Sequence, residues 1–343
     1  MRSERDVKKS SQAAAPPERG ISTRPPWFVV AMAVVALLLG VFTTPDNLLA
    51  VGRLRWYLTE AGEQVRRATE IEIQLFRIAC IGVSLLLFAW GWIAKSSFAH
   101  RVHLHEPRER GWVRSRKTLF NFSLFASLSC AALAVAYSAT AERFLSPEQL
   151  SLINDEDGVI EYGTAFFFLA TSVASVILAR RDRARRGRVL ILWFFALAFF
   201  FASGEEISWG QRLLGMETPE LMKEKNIQSE INIHNMLGPL VDHFFLLGVL
   251  VYGILSPLLA WRFPFFHKLF DYVGLPIGSL GLAVGFLTAT FIWVGSSLFG
   301  QPSGYRVEEM RELLSALCLF LLMVEVWRKA PEDRSPAPAA APA

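Results

Sequence analysis

The chain has 343 residues, of which 52% are hydrophobic, 13% aromatic and 19% charged, with a mean hydropathy of +0.34. Apolar runs near the ~20-residue length of a bilayer span recur along it. That pattern excludes a soluble domain of ordinary composition and predicts an all-α, polytopic membrane helix bundle of about eight transmembrane helices. A β-barrel would show short alternating segments, which are absent. The net charge of +4 is concentrated in short loops, so it reads as an orientation signal and no nucleic-acid partner is expected.

Residues 1–25 are polar, basic and rich in Pro and Ala, as expected of a disordered tail. The transmembrane domain is predicted over 26–329, with spans at Trp27–Phe42, Ile73–Ile93, Leu119–Ala139, Ile160–Ala179, Val189–Ser203, Met236–Trp261, Pro276–Phe299 and Leu313–Trp327. The first is read as an uncleaved helix, because Thr43-Thr44-Pro45-Asp46 follows it instead of a small-residue cleavage site. Pro45–Glu72 reads as an amphipathic interfacial helix, and 142–159 as a loop. Arg77, near one end of its span, is expected to snorkel. A Pro/Ala-rich tail, 330–343, closes the chain and is expected to be disordered.

The N-terminal tail and the loops at 95–117, 180–188, 262–268 and 328–334 carry 24 Lys and Arg, against 10 in the alternate loops. The first set is therefore expected in the cytoplasm, with both termini inside and the chain in a cell inner membrane. Cys80, Cys130 and Cys318 fall within apolar runs and read as small core residues. His100, His103 and His105 read as part of a solvated basic loop. Gly281 and Gly285 form a small-residue face that suits close helix packing, within the chain or in an oligomer.

Chemistry concentrates in the loop 204–235 and the helix ends around it. Glu205 and Glu206 close the fifth span, and His234 and Asn235 open the sixth. Asp157 and Glu161 are four apart at the start of the fourth and share a helical face. Asp242 and His243 lie inside the sixth, where an ionisable group is costly unless it has a use or a partner. If the fifth helix continues past Glu206, then Glu205, Ser208 and Arg212 share a face. Glu161, Glu205, Glu206 and His234 are the candidate catalytic residues. Ser208, Trp209, Gln211, Arg212, Asn235, Asp242 and His243 are candidates for substrate binding. Asp157, Glu161, Glu206 and His234 are candidate ligands should a divalent metal be the cofactor.

Glu205-Glu206 with a downstream Arg212, and then His234, resembles part of the pattern of the CAAX protease and bacteriocin-processing family of intramembrane proteases. The resemblance spans about thirty residues. Arg212 falls two positions later than in that pattern, Glu230 stands where it has Phe, and no His follows His267. It implies Glu206 as a general base and His234 as its partner. The residues themselves support a membrane-embedded hydrolase or transferase acting on a lipid-linked or membrane peptide substrate. An ion-coupled transporter remains an alternative, as does a scaffold in which the polar cluster only caps and packs helices.

Overall fold

A computed structural model describes residues 27–48, 63–89, 96–107, 121–155, 158–182, 186–220, 231–232, 239–292, 304 and 306–329. Every regular element among them is helical. The helices are α1 (Trp27–Phe42), α2 (Glu63–Phe88), α3 (Ser97–Leu104), α4 (Phe122–Phe144), α5 (Pro147–Asn154), α6 (Val159–Arg181) and α7 (Arg186–Glu206). After a left-handed turn come α8 (Pro239–Gly248, continued through Val249–Leu255 and Ser256–Arg262), α9 (Pro264–Val273), α10 (Leu280–Thr290) and α11 (Val307–Lys329). Among the described residues, four stretches are long and apolar enough to cross a membrane: Phe122–Phe144, the stretch Pro147–Arg181 that holds α5 and α6, Arg186–Glu206 and Phe244–Arg262. Val29–Phe42, Ile73–Phe88 and Leu280–Thr290 are shorter apolar helices. The predicted tails, 1–25 and 330–343, lie outside the described residues.

The chain divides into two compact units. In the smaller one (Met1–Thr44 and Leu75–Arg101), α1 packs on the apolar part of α2. Ser84 Oγ donates to Ala33 O at 2.8 Å, and Arg77 Nε donates to Gly40 O at 3.1 Å. The Gly40 carbonyl is among the last four of α1, which have no partner within the helix. Arg77 therefore satisfies a helix C-terminus with a cation where snorkelling was expected.

The larger unit is a bundle whose registers can be read from its contacts. Ser172 Oγ donates to Ala196 O at 2.6 Å and Ser203 Oγ donates to Ala165 O at 2.8 Å. Seven residues separate the two contacts on each helix, so α6 and α7 run antiparallel in register. Small side chains make this approach possible, and buried hydroxyls use backbone carbonyls as acceptors. Beside them, α11 runs parallel to α6. Gly163 faces Leu313, Ser175 Oγ lies 3.4 Å from Met323 Sδ, and the Arg181 guanidinium covers the Trp327 ring. The end of the bundle holding Arg181 and Trp327 is termed lower here, and the end where α6 and α11 begin is upper.

Parallel to each other, α4 and α10 both start at the lower end. Their caps meet there: Asn121 Nδ2 donates to Ser279 Oγ at 2.6 Å. Glu325 of α11, only 4% exposed, accepts from Ser279 N at 2.8 Å and Ser279 Oγ at 2.7 Å. A buried carboxylate is tolerated because donors at a helix N-terminus surround it. Higher up, a Cβ on Gly285 would come within 2.7 Å of Ser127 Cβ and 3.2 Å of Cys318 Sγ. The small-residue face of α10 is thus taken up by packing within the chain. The helix Leu280–Thr290 begins later than the predicted span, because Ser279 caps it and Gly278 lies under Leu322.

Two further departures have local causes. Residues 147–154, assigned to a loop from sequence, form α5, because Ser146 and Gln149 make a capping box and Pro147 sits at the first helical position. Tyr137 OH then donates to Asn154 Oδ1 at 2.7 Å and ties this helix to α4. The segment Val249–Leu255 widens to a π-helix, with Ser256 Oγ donating to Val251 O at 2.9 Å. Pro257 lacks an N–H and clashes with the fourth carbonyl before it, which favours this widening. Gly253 there makes room for the ring of Phe286. The three cysteines are free thiols.

A three-carboxylate candidate site at the upper end

At the upper end α7 stops at Glu206 and does not run on. Ile207 leaves the helix, and Ser208, Trp209 and Gly210 follow with φ of 45°, 55° and 74°. A left-handed conformation costs a residue with a Cβ about 1–2 kcal/mol, so surrounding contacts must hold Ser208 and Trp209 in it. Trp209 Nε1 donates to Glu205 Oε1 at 2.8 Å, and its ring packs edge-on to Phe200 and Phe201. The ring also lies on Gly204, where a Cβ would come within 2.8 Å of it. The condition on which Glu205, Ser208 and Arg212 would share one helical face, a helix running on past Glu206, is therefore not met.

The chain beyond the turn is fixed by buried polar groups. Asn232 Nδ2 donates to Ser208 Oγ at 2.9 Å. Gln211 Nε2 donates to Thr218 Oγ1 at 2.6 Å, and Gln211 Oε1 accepts from Ile231 N at 2.6 Å. Ser208, Gln211, Thr218 and Asn232 are all buried. Gln211, a candidate for substrate binding, bridges two parts of the loop, and Ser208 is engaged with Asn232.

The reversal leaves Glu206 at the helix end beside the first turns of α11. Carboxylate oxygens of Glu206, Glu309 and Glu312 all lie within 4.8 Å of one another. Glu312 is buried at 7% exposure, while Glu206 and Glu309 are half-buried. Arg306 Nη2 lies 3.2 Å from Glu309 Oε1 and offsets part of the charge. Three carboxylates this close resist simultaneous ionisation unless a cation or a proton is shared. Continuing the α6–α7 register by one turn puts Glu206 level with Glu161 and Tyr162. Glu161 is half-buried and has an interaction partner, and the register sets it at the depth of the cluster.

Of the other candidates, Asp157, His234 and Asn235 lie outside the described residues. The backbone of Arg212 lies in the short helix Gln211–Leu214, and those of Asp242 and His243 lie in α8, but their side chains fall outside the description. Phe245 packs against Phe168, which fixes the depth of α8. Position 242, one turn earlier, is therefore near the level of Ser203.

Glu309 and Glu312 did not emerge from sequence as site residues. Their signal is a pair three apart in the first turns of an apolar helix, on the same predicted side as Glu206. Asn232 and Thr218 also carry buried contacts that local sequence does not mark. At the lower end, His105 is not part of a solvated loop. Its Nε2 lies 2.6 Å from Asp271 Oδ2, its ring packs edge-on to Tyr272, and Lys268 Nζ donates to the carbonyl of His103.

Comparison with protein-family models, curated proteins and solved structures yields no match.

Proposed function

We propose that the chain is a multi-pass inner-membrane protein with both termini cytoplasmic, whose upper end faces outward and holds a divalent cation between Glu206, Glu309 and Glu312. The carrying observation is the convergence of three carboxylates, one of them buried, from the end of one helix and the start of another. An all-oxygen donor set suits Mg, Ca or Mn. Such an ion polarises a carbonyl or phosphoryl group or activates a water. The reading is therefore a membrane-embedded hydrolase or transferase on a lipid-linked or membrane peptide substrate, with Glu161 at the same depth as an acid–base candidate.

The transporter alternative calls for a titratable group deep in the opposite half. Glu325 stands there, but its oxygens accept from Ser279 and Asn121 in a capping role. That observation favours the enzyme reading. The test uses purified full-length protein in detergent, with a fluorogenic transmembrane peptide and a polyprenyl diphosphate as probes. Turnover of either probe that requires Mg or Mn and falls at least 100-fold in Glu206→Gln and Glu312→Gln supports the reading, by comparison with the several kcal/mol a catalytic ion supplies. Turnover that is unaffected by chelator or by both substitutions refutes it.

A further inference from the structure

All three guanidinium–ring contacts among the described residues lie at the lower end of the bundle. Two of them form one continuous surface. The Arg181 guanidinium, at the end of α6, lies 4.6 Å from the centre of the Trp327 ring near the end of α11. The next residue, Arg328, lies 5.2 Å from the centre of the Phe122 ring at the start of α4. Three helix ends are joined in the order arginine, tryptophan, arginine, phenylalanine. Trp327 is 46% exposed and Phe122 52% exposed, so the aromatic faces look outward from the bundle. Among the described residues neither arginine pairs with an acid. Asp182 lies 3.1 Å from Arg188, and Glu325 is buried against Ser279.

We infer that this surface binds the phosphate headgroup of an anionic phospholipid. A guanidinium held over an aromatic ring is pre-oriented, and its planar fork suits two parallel hydrogen bonds to a phosphate. Exposed Trp and Phe at a helix end belong at the headgroup level of a bilayer, where their rings meet the acyl boundary. Two cations set into that boundary complement an anionic lipid and have nothing comparable to offer a zwitterionic one. The assignment is independent of the carboxylate site, which lies at the other end of the bundle.

The experiment compares the full-length protein in phosphatidylcholine nanodiscs with and without phosphatidylglycerol. Retention of lipid by native mass spectrometry and the thermal midpoint are the readouts. At about 1 kcal/mol for each basic residue near an anionic surface, Arg181→Gln with Arg328→Gln lowers phosphatidylglycerol affinity about 30-fold. In pure phosphatidylcholine the double variant loses only its two guanidinium–ring contacts, a small fall in midpoint, and the gain in midpoint on adding phosphatidylglycerol is what the substitutions abolish. Should that variant fail to fold, Arg181→Lys with Arg328→Lys keeps the charge, loses the planar guanidinium fork and binds several-fold more weakly. Arg186→Gln, an exposed arginine on the same end, weakens binding by no more than about fivefold, the effect of one surface charge. Undiminished phosphatidylglycerol binding in the glutamine or lysine pair overturns the inference. So does stabilisation by inorganic phosphate equal to that by phosphatidylglycerol.

Discussion

Gly204→Ala tests the turn on which the upper end depends. The new Cβ would lie 2.8–3.0 Å from three atoms of the Trp209 ring, closer than real Cβ contacts come. The ring cannot simply swing aside. It is packed on Phe200 and Phe201, and its Nε1 is bonded to Glu205. Overpacking of this kind costs about 1–3 kcal/mol, and losing a hydrogen bond to a charged group adds about 1.5–3 kcal/mol. Ala gains about 1 kcal/mol over Gly in a helix, so the net destabilisation is roughly 1.5–5 kcal/mol. Thermal unfolding in detergent, followed by circular dichroism and tryptophan fluorescence, measures it. Gly82→Ala is the control, because nothing lies within 4 Å of its Cβ position. The expected result is a lowered midpoint and altered tryptophan emission for Gly204→Ala alone. Equal midpoints in the two variants would refute the reasoning, because the steric term would then be absent.

Asn232→Ala removes the donor to Ser208 and is expected to cost about 1–3 kcal/mol, read as earlier proteolysis of the 207–232 segment with the helix content unchanged. Glu325→Ala strips Ser279 N and Oγ of their acceptor and is expected to cost roughly 2–4 kcal/mol, seen as a lowered unfolding midpoint. Gly285→Ala brings a Cβ within 2.7 Å of Ser127 Cβ and is expected to cost about 1–3 kcal/mol; pairing it with Ser127→Gly should recover much of the loss, measured as the same midpoint.

The helical class was legible because a span writes itself as a run of apolar residues, and α4, α6 and α7 fall where those runs are. Helix ends were less legible, since they depend on caps and not on hydropathy. Residues 142–159 read as a loop because they are polar, yet Ser146-Pro147-Glu148-Gln149 carries a capping box and starts α5. Glu206 stood out from sequence as two adjacent acids closing a span. Its companions did not, because Glu309 and Glu312 lie about a hundred residues away and reach it only through the packing of α7 beside α6 and α6 beside α11. The left-handed turn was hidden for another reason. Gly210 marks a break, but Ser208 and Trp209 ordinarily avoid positive φ, and contacts with Asn232, Glu205, Phe200, Phe201 and the Gly204 surface hold them there. Glu325 is the acid that closes the last apolar run, and its role as a cap was hidden because its partners Asn121 and Ser279 lie far away in sequence.

The most direct measurement is Mn binding to the purified full-length protein, followed by electron paramagnetic resonance, with Glu206→Gln, Glu309→Gln and Glu312→Gln beside the wild type. A three-carboxylate cation site predicts one bound Mn per chain, displaced by Mg or Ca, with binding weakened at least 10-fold by each substitution. Absence of stoichiometric Mn in the wild type, or equal binding in all three variants, would contradict it.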